Sequence, residues 1–587
     1  MRHILALLGE GVPPDRMLVI SFSRSAARTF RERLAPTTTK VPVRTFHSEA
    51  IHILSSPPIS RHMDRLLSDS ARTSLWHELL GPRTRYCPRA IGPMGDGVDP
   101  DAVSMAVEIA RLAGRDPVSD ETLPPAYRSA AKAFRLTKRD RRVVDYTDLI
   151  VMATEALEQS TEALTAHTPL ALVVDEAQDT NATQMRLVEL LAAGAKSTLV
   201  VGDPNQAIYG FQGADPSTIS HFDVRFPNAS IYTLRRTYRC SSAVAATANA
   251  LMPHGTSSIQ PTTSIRGLVG TVVHNQDYDE APWVAAQVQK IQAARPGTTV
   301  LILARTNLDL EPMSASLRQA RIEFVRLGGA TGFWNLPEID GMLDMARLAA
   351  DPLDMISACR LATWPPRRHS THTSMVRAIL AEGGPPHGYR ALADSPAAAL
   401  RVEHLIVPSL RSTPTTHPGD LIGGVIDSQV WRKMTPPGSP TQRIGSTLSI
   451  LSSIARQASS IESLLATALY DAGSQSQQQP AVILATAHGA KGMEADVVVV
   501  LGTEKGRWPH SKSVGSEAIS EERRLLYVAT TRARTMCVWS GCKMRDGKER
   551  APSPFIADVQ ATVSVPTLSG DLADWMTWAL SEASADT

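Results

Sequence analysis

Short apolar runs bounded by polar or turn-forming residues alternate with amphipathic stretches along most of this chain. Met17–Phe22, Leu172–Asp175 and Thr198–Gly202 have the length and continuous apolarity of buried strands. Ile4–Leu8 reads as a helix end stopped by Gly9, Gly11 and Pro13-Pro14. Ser25–Leu34 is polar and Arg-rich with Ala26, Ala27 and Phe30 at helical spacing, and a further helix is predicted at Thr183–Ala193. A second group of strands is predicted at Thr299–Leu303, Ala481–Ala485 and Asp496–Leu501. Strands of this kind alternating with helices predict α/β layers on parallel sheets. Between these groups, about Arg61–Arg142 reads as helical and irregular, with breaks around Gly92–Pro100. About Pro365–Pro480 is rich in Pro, Thr and Ser and ends in the low-complexity run Ser474–Pro480. The pattern therefore predicts two α/β cores, each interrupted by an inserted subdomain.

Composition narrows this little. At roughly 100–200 residues per domain, 587 residues make several domains. Sixty Lys+Arg against 58 Asp+Glu leave a net charge of +2, which excludes a highly basic coat protein and an acidic disordered chain, though not a local basic channel. Cys87, Cys240, Cys359, Cys537 and Cys542 are too scattered for a disulfide framework or a paired-cysteine metal knuckle, and fit a reducing cytoplasm. No apolar run approaches the about 18 residues of a spanning helix. The apolar stretch Ile4–Leu8 is too short for a secretory leader. His47 and His52 have no third ligand nearby in sequence, so no metal site is expected there.

The strongest chemical signal is Val173–Asp179 (VVDEAQD), where two adjacent carboxylates end a buried strand. Ligands of open α/β sheets bind at such strand ends. Asp175 suits Mg²⁺, which takes one or two carboxylates plus phosphate oxygens and waters. Glu176, pointing elsewhere, suits orientation or deprotonation of an attacking water. A bare Asp-Glu pair more often just ends a strand at the surface. Here, however, the next strand ends comparably, in Val200–Ala214 (VVGDPNQAIYGFQGA), so two neighbouring strand ends present carboxylate and amide groups.

These two segments resemble motifs II and III of the UvrD/Rep-type superfamily 1 DNA helicases, and the family's order continues along the chain. Ser21–Ala27 (SFSRSAA) resembles motif Ia, Thr45–Ser48 (TFHS) the adjoining DNA-contact motif, and Asp145–Leu149 (DYTDL) the segment leading into motif II. Leu234–Arg239 (LRRTYR) resembles motif IV, Thr486–Glu494 (TAHGAKGME) motif V, and Glu521–Ala533 (EERRLLYVATTRA) motif VI. Single matches are weak, but this ordered set from Ser21 to Ala533 is specific.

The resemblance implies two RecA-like parallel-sheet cores, each interrupted by a mostly helical inserted subdomain. The expected divisions are a first core in two parts (1–58 and 145–229) around a 1B-like insertion (59–144). A second core (230–364 and 479–560) surrounds a reduced 2B-like insertion (365–478), followed by a tail (561–587). It implies ATP and Mg²⁺ as cofactors, with Asp175 on the metal, Glu176 on the water and Gln206 sensing the γ-phosphate. Arg239 and Arg532 would reach that phosphate from the second core, where the planar guanidinium suits phosphate oxygens. Tyr238 would stack near adenine, Glu494 would accept from ribose hydroxyls, and Gln178 would join the nucleotide-binding set. On the DNA side it implies Phe22, Thr45, His47, Tyr209, Phe211 and His488. Stacking aromatics with scattered polar contacts suit sequence-tolerant single-strand binding. Trp334 is the weak member of the aromatic candidates for DNA stacking, and a core or packing role suits it at least as well. The implied partners are single-stranded DNA, single-/double-strand junctions and repair or replication proteins, with no membrane. The expected location is the cytoplasm, at the nucleoid.

Several positions depart from the family pattern. The phosphate loop G-x-x-x-x-G-K-S/T, which cradles the β/γ-phosphates, does not occur. Gly194–Ser197 (GAKS) lacks the required second glycine and lies between a helix and a strand in the wrong order. The sequence reads as if it begins one strand, one loop and a turn or two of helix late. That leaves a misassigned start, a truncated helicase, or a replacement phosphate loop as the readings. Gln212, Thr237 and Gly489 replace a usual Arg, Asn and Ser. Nothing past Arg534 suggests an appended nuclease. The expected activity is ATP-dependent 3′-to-5′ DNA translocation and strand separation. The rival is a truncated, ATPase-deficient, helicase-derived protein that binds DNA or a partner without turnover.

Overall fold

The computed structural model describes residues 1–60, 100–210, 222–252, 258–327, 336–364, 373–393, 395–412, 416–435, 481–545 and 548–581. It also describes shorter stretches within 65–80, 213–220 and 444–465, and Trp334. The chain divides into two compact units, Met1–Leu234 and Arg235–Thr587.

In the first unit, β1 (Met17–Ser21), β2 (Val43–Thr45), β3 (Ala171–Asp175) and β4 (Ser197–Val200) form a parallel sheet of order β2-β1-β3-β4. Successive strand residues face opposite sides, and both sides are apolar because helices cover each. Met17, Val19, Val43 and Val173 pack against Ile4 and Leu7 of α1 (Arg2–Gly9) and Ala27 and Leu34 of α2 (Arg24–Leu34). Leu18, Ile20, Leu172 and Val174 pack against α3 (Phe46–Ser55), α6 (Tyr146–Gln159) and α7 (Ala182–Ala193). β4 is one of the two edge strands among the described residues, and its Leu199 and the following Val201 are exposed. Between β2 and α6, α4 (Pro100–Leu112) and α5 (Pro125–Asp140) close a separate helical core in which Trp76 stacks on Phe134 at 4.2 Å.

A buried ion cluster fastens these helices to α6. Arg111 of α4 donates to both Asp145 oxygens at 2.9 Å and to Asp148 at 2.6 Å, while Lys138 of α5 reaches Asp145 at 2.7 Å and Asp148 at 2.6 Å. Burial pushes the Asp145 carboxyl up, but Arg111 and Lys138 outweigh it and hold it far below the usual carboxylate range. Asp145 and Asp148 also cap α6 reciprocally.

In the second unit, seven strands form one sheet. They are β5 (Leu268–Gln276), β6 (Val300–Ala304), β7 (Val325–Leu327), β8 (Val482–Thr486), β9 (Ala495–Val500), β10 (Ala533–Arg545) and β11 (Lys548–Glu549). The order is β7-β8-β6-β9-β10, with β5 parallel and β11 antiparallel to β10. In chain order α8 (Ser242–Leu251) precedes β5, and the sheet packs on α9 (Asp277–Ala294), α10 (Glu311–Gln319) and α14 (Leu572–Ala579), while α13 (Ser516–Thr530) leads into β10.

Two divisions differ from expectation. The sequence puts α11 (Pro337–Ala350) and α12 (Met355–Ala362) in the second core, yet Ile339, Met342, Leu343, Leu348 and Leu361 bury against the inserted helices, in a core running from Trp334 to Leu464. Trp334 is part of that core, so packing is its role. The expected tail is also part of the fold. Thr271 and Gly267 receive backbone bonds from or donate them to residues 566–579, and Leu572, Met576 and Ala579 enter the sheet's core. Among the described residues no helix is long and apolar enough to cross a membrane.

Candidate nucleotide and nucleic-acid sites

Strand register assembles the first site. Ser21 pairs with both Thr45 and Asp175, so the carboxyl ends of β2, β1 and β3 stand abreast. Just past β3, Glu176 takes a left-handed conformation (φ 56°, ψ 41°), which costs a non-glycine residue about 1–2 kcal/mol. The neighbouring backbone holds it there: Ala177 N–H donates to Val201 C=O at 3.0 Å, and Val201 N–H to Val174 C=O at 2.8 Å.

Gln178 then ties the two strand ends together. It is 0% exposed, its Nε2 donates to Glu176 Oε2 at 2.6 Å, and its Oε1 accepts from Asp203 N–H at 3.0 Å. A side chain at Gly202 would stand 2.8 Å from Gln178 Oε1, so glycine there is what lets the amide approach. Asp203 in turn accepts from Asn205 N–H at 3.0 Å and from Gln206 Nε2 at 2.6 Å. Asp175, Glu176 and Gln206 are thus brought to one edge. Gln178, expected to touch a nucleotide, has both ends of its amide committed to protein and positions Glu176 instead.

Beside this edge, Phe22 and Tyr209 stack at 5.4 Å with 29° between the rings, and His47 meets Tyr146 edge-on at 5.3 Å. Burial and the charges of Asp179 and Glu176 push the Tyr209 hydroxyl up to about 12, so it stays protonated. Phe22 and His47 line a cavity of about 170 Å³ with Thr147, Ile150, Asn181 and Thr183. Thr45 is not an open strand contact: it is the N-cap of α3, accepting from Ser48 N–H at 3.4 Å and donating to Ser48 Oγ at 3.2 Å. Phe211 lies outside the described residues.

The second unit separates its predicted residues between opposite ends of one sheet. His488 follows β8 at the carboxyl edge and Glu494 precedes β9 at the amino edge, because motif V crosses the sheet between two parallel strands. At the carboxyl edge Arg305 forks onto Glu522, Nε to both oxygens at 3.0 Å and an outer nitrogen to Oε1 at 2.6 Å. Glu522 also accepts from His510 N–H at 3.1 Å and Ser513 Oγ at 3.0 Å. Burial and the nearby Arg305 charge push His488 down to about 4. At the amino edge Arg239 Nε donates to Glu494 Oε2 at 2.8 Å and Tyr238 is 82% exposed.

Arg532 departs from expectation. It is 1% exposed and turned onto its own helix end, donating to Val528 C=O at 2.9 Å, Met493 C=O at 3.3 Å and Thr531 Oγ1 at 3.1 Å. Sequence reasoning also missed Arg305, Glu522 and Arg534. A charged residue directly after the buried run Val300–Ala304 was a signal for Arg305.

Similarity to known proteins runs through both units. Residues 102–227 match the UvrD/REP helicase N-terminal domain, and residues 232–380 and 442–544 match the UvrD-like helicase C-terminal domain. The chain is 27% identical to the ATP-dependent DNA helicase PcrA of Bacillus subtilis, over 95% of this chain and 82% of that protein. It is 26% identical to PcrA of Leuconostoc citreum, over 97% and 82%, and 24% identical to PcrA of Staphylococcus aureus, over 95% and 82%. With both halves of the family matched in order around the paired strand ends, the chain belongs to the UvrD/Rep-type superfamily 1 helicases, whose class of activity is DNA helicase and DNA-dependent ATPase.

Proposed function

We propose that this protein uses ATP hydrolysis to move 3′ to 5′ along single-stranded DNA and to separate strands at single-/double-strand junctions. The observation that carries the reading is the Gln178 bridge, which holds Glu176 and the Asp203–Gln206 segment at one sheet edge in a fixed relation. Phosphoryl transfer depends mostly on positioning and charge stabilisation, and such a bridge supplies the positioning.

Asp175, a strand-end carboxylate, fits Mg²⁺ by its chemistry and would hold it. Bound Mg²⁺ neutralises charge on the phosphate oxygens. Glu176, its carboxylate oriented by Gln178, would take the proton of an attacking water, with Gln206 beside it. Arg239 would place positive charge on the γ-phosphate. Arg532 would do so after leaving the backbone and side-chain acceptors it now holds. Tyr238 would stack on adenine and Glu494 would bind the ribose. Supporting a single-strand path are the Phe22–Tyr209 platform and the adjoining cavity at His47, with Phe211 and His488 as further contacts. The helical cores at 67–143 and 334–464 would be the 1B-like and 2B-like insertions. Partners beyond DNA would be repair or replication proteins. Reduced, buried Cys240, Cys537 and Cys542, whose thiols burial pushes up, suit a cytoplasmic, nucleoid-associated protein.

Residues 1–587 contain no G-x-x-x-x-G-K-S/T cradle, so the test compares residues 1–587 with the longest in-frame polypeptide that the gene encodes. DNA-stimulated ATPase is expected, and Glu176→Gln should lower turnover by about 10²–10⁴-fold with single-strand binding retained. Binding of single-stranded DNA with no stimulated turnover would replace this reading with the non-enzymatic one.

A further inference from the structure

At the amino edge of the second unit's sheet one carboxylate is shared by two arginines. Glu494 immediately precedes β9 and Arg534 is the second residue of β10. These strands are neighbours and Ala495 pairs with Ala533, so strand pairing fixes the separation of Glu494 and Arg534. Arg534 donates to Glu494 Oε1 at 2.5 Å and reaches Asp496 Oδ1 at 3.5 Å, which anchors it at two points. Glu494 Oε2 is left for Arg239, whose Nε donates to it at 2.8 Å. Arg239 itself hangs from the short strand Arg236–Thr237, its N–H on Thr237 Oγ1 at 3.3 Å.

We propose that Glu494 is a latch that stows Arg239 while the nucleotide site is empty, and that Arg534 is the positioning residue that sets the latch. The proposal rests on the reading of Arg239 and Glu494 as nucleotide-contacting groups. Arg534 takes charge at Oε1 and Arg239 holds Oε2, so an incoming ribose hydroxyl that bonds Oε2 shares that oxygen with the guanidinium and weakens its hold. Ribose binding therefore releases the guanidinium toward the phosphates.

The strength of the contact suits a latch. The side chains of Arg239, Glu494 and Arg534 are 34%, 40% and 45% exposed. Ion pairs so exposed bias an equilibrium by about fivefold or less, which one ligand hydrogen bond can overcome. A buried pair would hold by about a hundredfold or more and would keep the arginine from the reaction. The Arg534 bond, ahead of Arg239, holds the Glu494 carboxyl below its ordinary range against the opposing effect of burial, so the acceptor stays ionised.

Phenylglyoxal labelling of Arg239, resolved by peptide mass mapping on the chain without nucleotide or DNA, tests this. Glu494→Gln should raise the labelling rate by up to about fivefold and Arg534→Ala by about two- to threefold, with Arg534→Lys restoring the wild-type rate. Millimolar adenosine, which carries the ribose hydroxyls but no phosphate, should accelerate labelling in the wild type, and 2′,3′-dideoxyadenosine should not. Equal labelling in wild type, Glu494→Gln and Arg534→Ala overturns the latch. An unchanged Arg534→Ala alone overturns the role of Arg534, and no adenosine effect overturns release by ribose. Should Glu494→Gln fail to fold, the Arg534 pair and the adenosine arm decide. None of these readouts needs turnover, so a failure of ATP hydrolysis leaves them intact.

Discussion

At the carboxyl edge of the first unit's sheet, Glu176 is held by a buried neutral amide. At the amino edge of the second unit's sheet, Glu494 is held by two half-exposed guanidinium groups. Both carboxylates stand beside strand ends and both fall in the family's motifs, yet they are fixed by different physics. A buried amide hydrogen-bonded at both ends is costly to disturb, because each partner left unsatisfied loses its desolvation energy. An exposed ion pair is cheap to disturb and weakens further in salt. The first arrangement suits a group that must not move, and the second suits groups that change partners.

Gln178→Ala is the substitution that should break the comparison most visibly. It removes the acceptor of Asp203 N–H and the donor to Glu176, and leaves a cavity at a 0% exposed position. The local cost should be about 2–4 kcal/mol. Amide exchange at Ala177, Val201 and Asp203 should then accelerate by roughly 30- to 1,000-fold, measured by hydrogen-exchange mass spectrometry. Unchanged exchange would mean that the backbone bonds between Ala177 and Val201 suffice without the amide.

A second contrast lies within the second unit, between its two sheet edges. Burial and Arg305 disfavour the imidazolium of His488 and push it down to about 4, while the unfolded chain takes up that proton near 6.5. His488 therefore contributes stability that is complete above pH 6.5 and is lost as pH falls toward 4. The loss between pH 7 and 4.5 should be on the order of 2 kcal/mol, measured as the difference between wild type and His488→Gln in urea unfolding of the second unit's tryptophans. A parallel pH dependence in the two proteins would mean that the surroundings of His488 do not hold it neutral.

The strands of both sheets were legible because a parallel strand covered on both faces must be apolar at every position, and runs such as Val300–Ala304 and Val497–Val500 leave little else. The strand-end carboxylates were legible for the same reason, as the first polar residues after such runs. Gln178 was misread because spacing cannot tell whether an amide two residues past Glu176 faces a ligand or the next strand. His488 and Glu494 read as one motif because proximity in sequence hides a crossover from one sheet edge to the other. The boundary near Trp334 was hidden by composition: α11 is an ordinary amphipathic helix, and only its packing partners assign it to the inserted core. Likewise Leu572, Met576 and Ala579 repeat at helical spacing, but the sheet face that buries them lies some 300 residues earlier in β5 and α9.

The smallest effect tests the exposed side of the comparison. Glu494→Gln removes the charge that Arg239 and Arg534 share while keeping the shape of the side chain. The pair's side chains are too exposed for the loss to exceed about 1 kcal/mol in unfolding free energy at low ionic strength. By about 1 M salt, where the screening length falls to about 3 Å, the variant and the wild type should be indistinguishable. Gln178→Ala, by contrast, should lose little of its cost in salt, since the substitution removes no charge and the amide itself is 0% exposed. Urea titrations of Glu494→Gln at low and high salt, run beside exchange measurements on Gln178→Ala, separate the two mechanisms by salt slope rather than by size. A Glu494→Gln loss that persisted in 1 M salt would mean that the carboxylate is held by shape and hydrogen bonding, as Glu176 is, and that the second unit's amino edge is as rigid as the first unit's carboxyl edge.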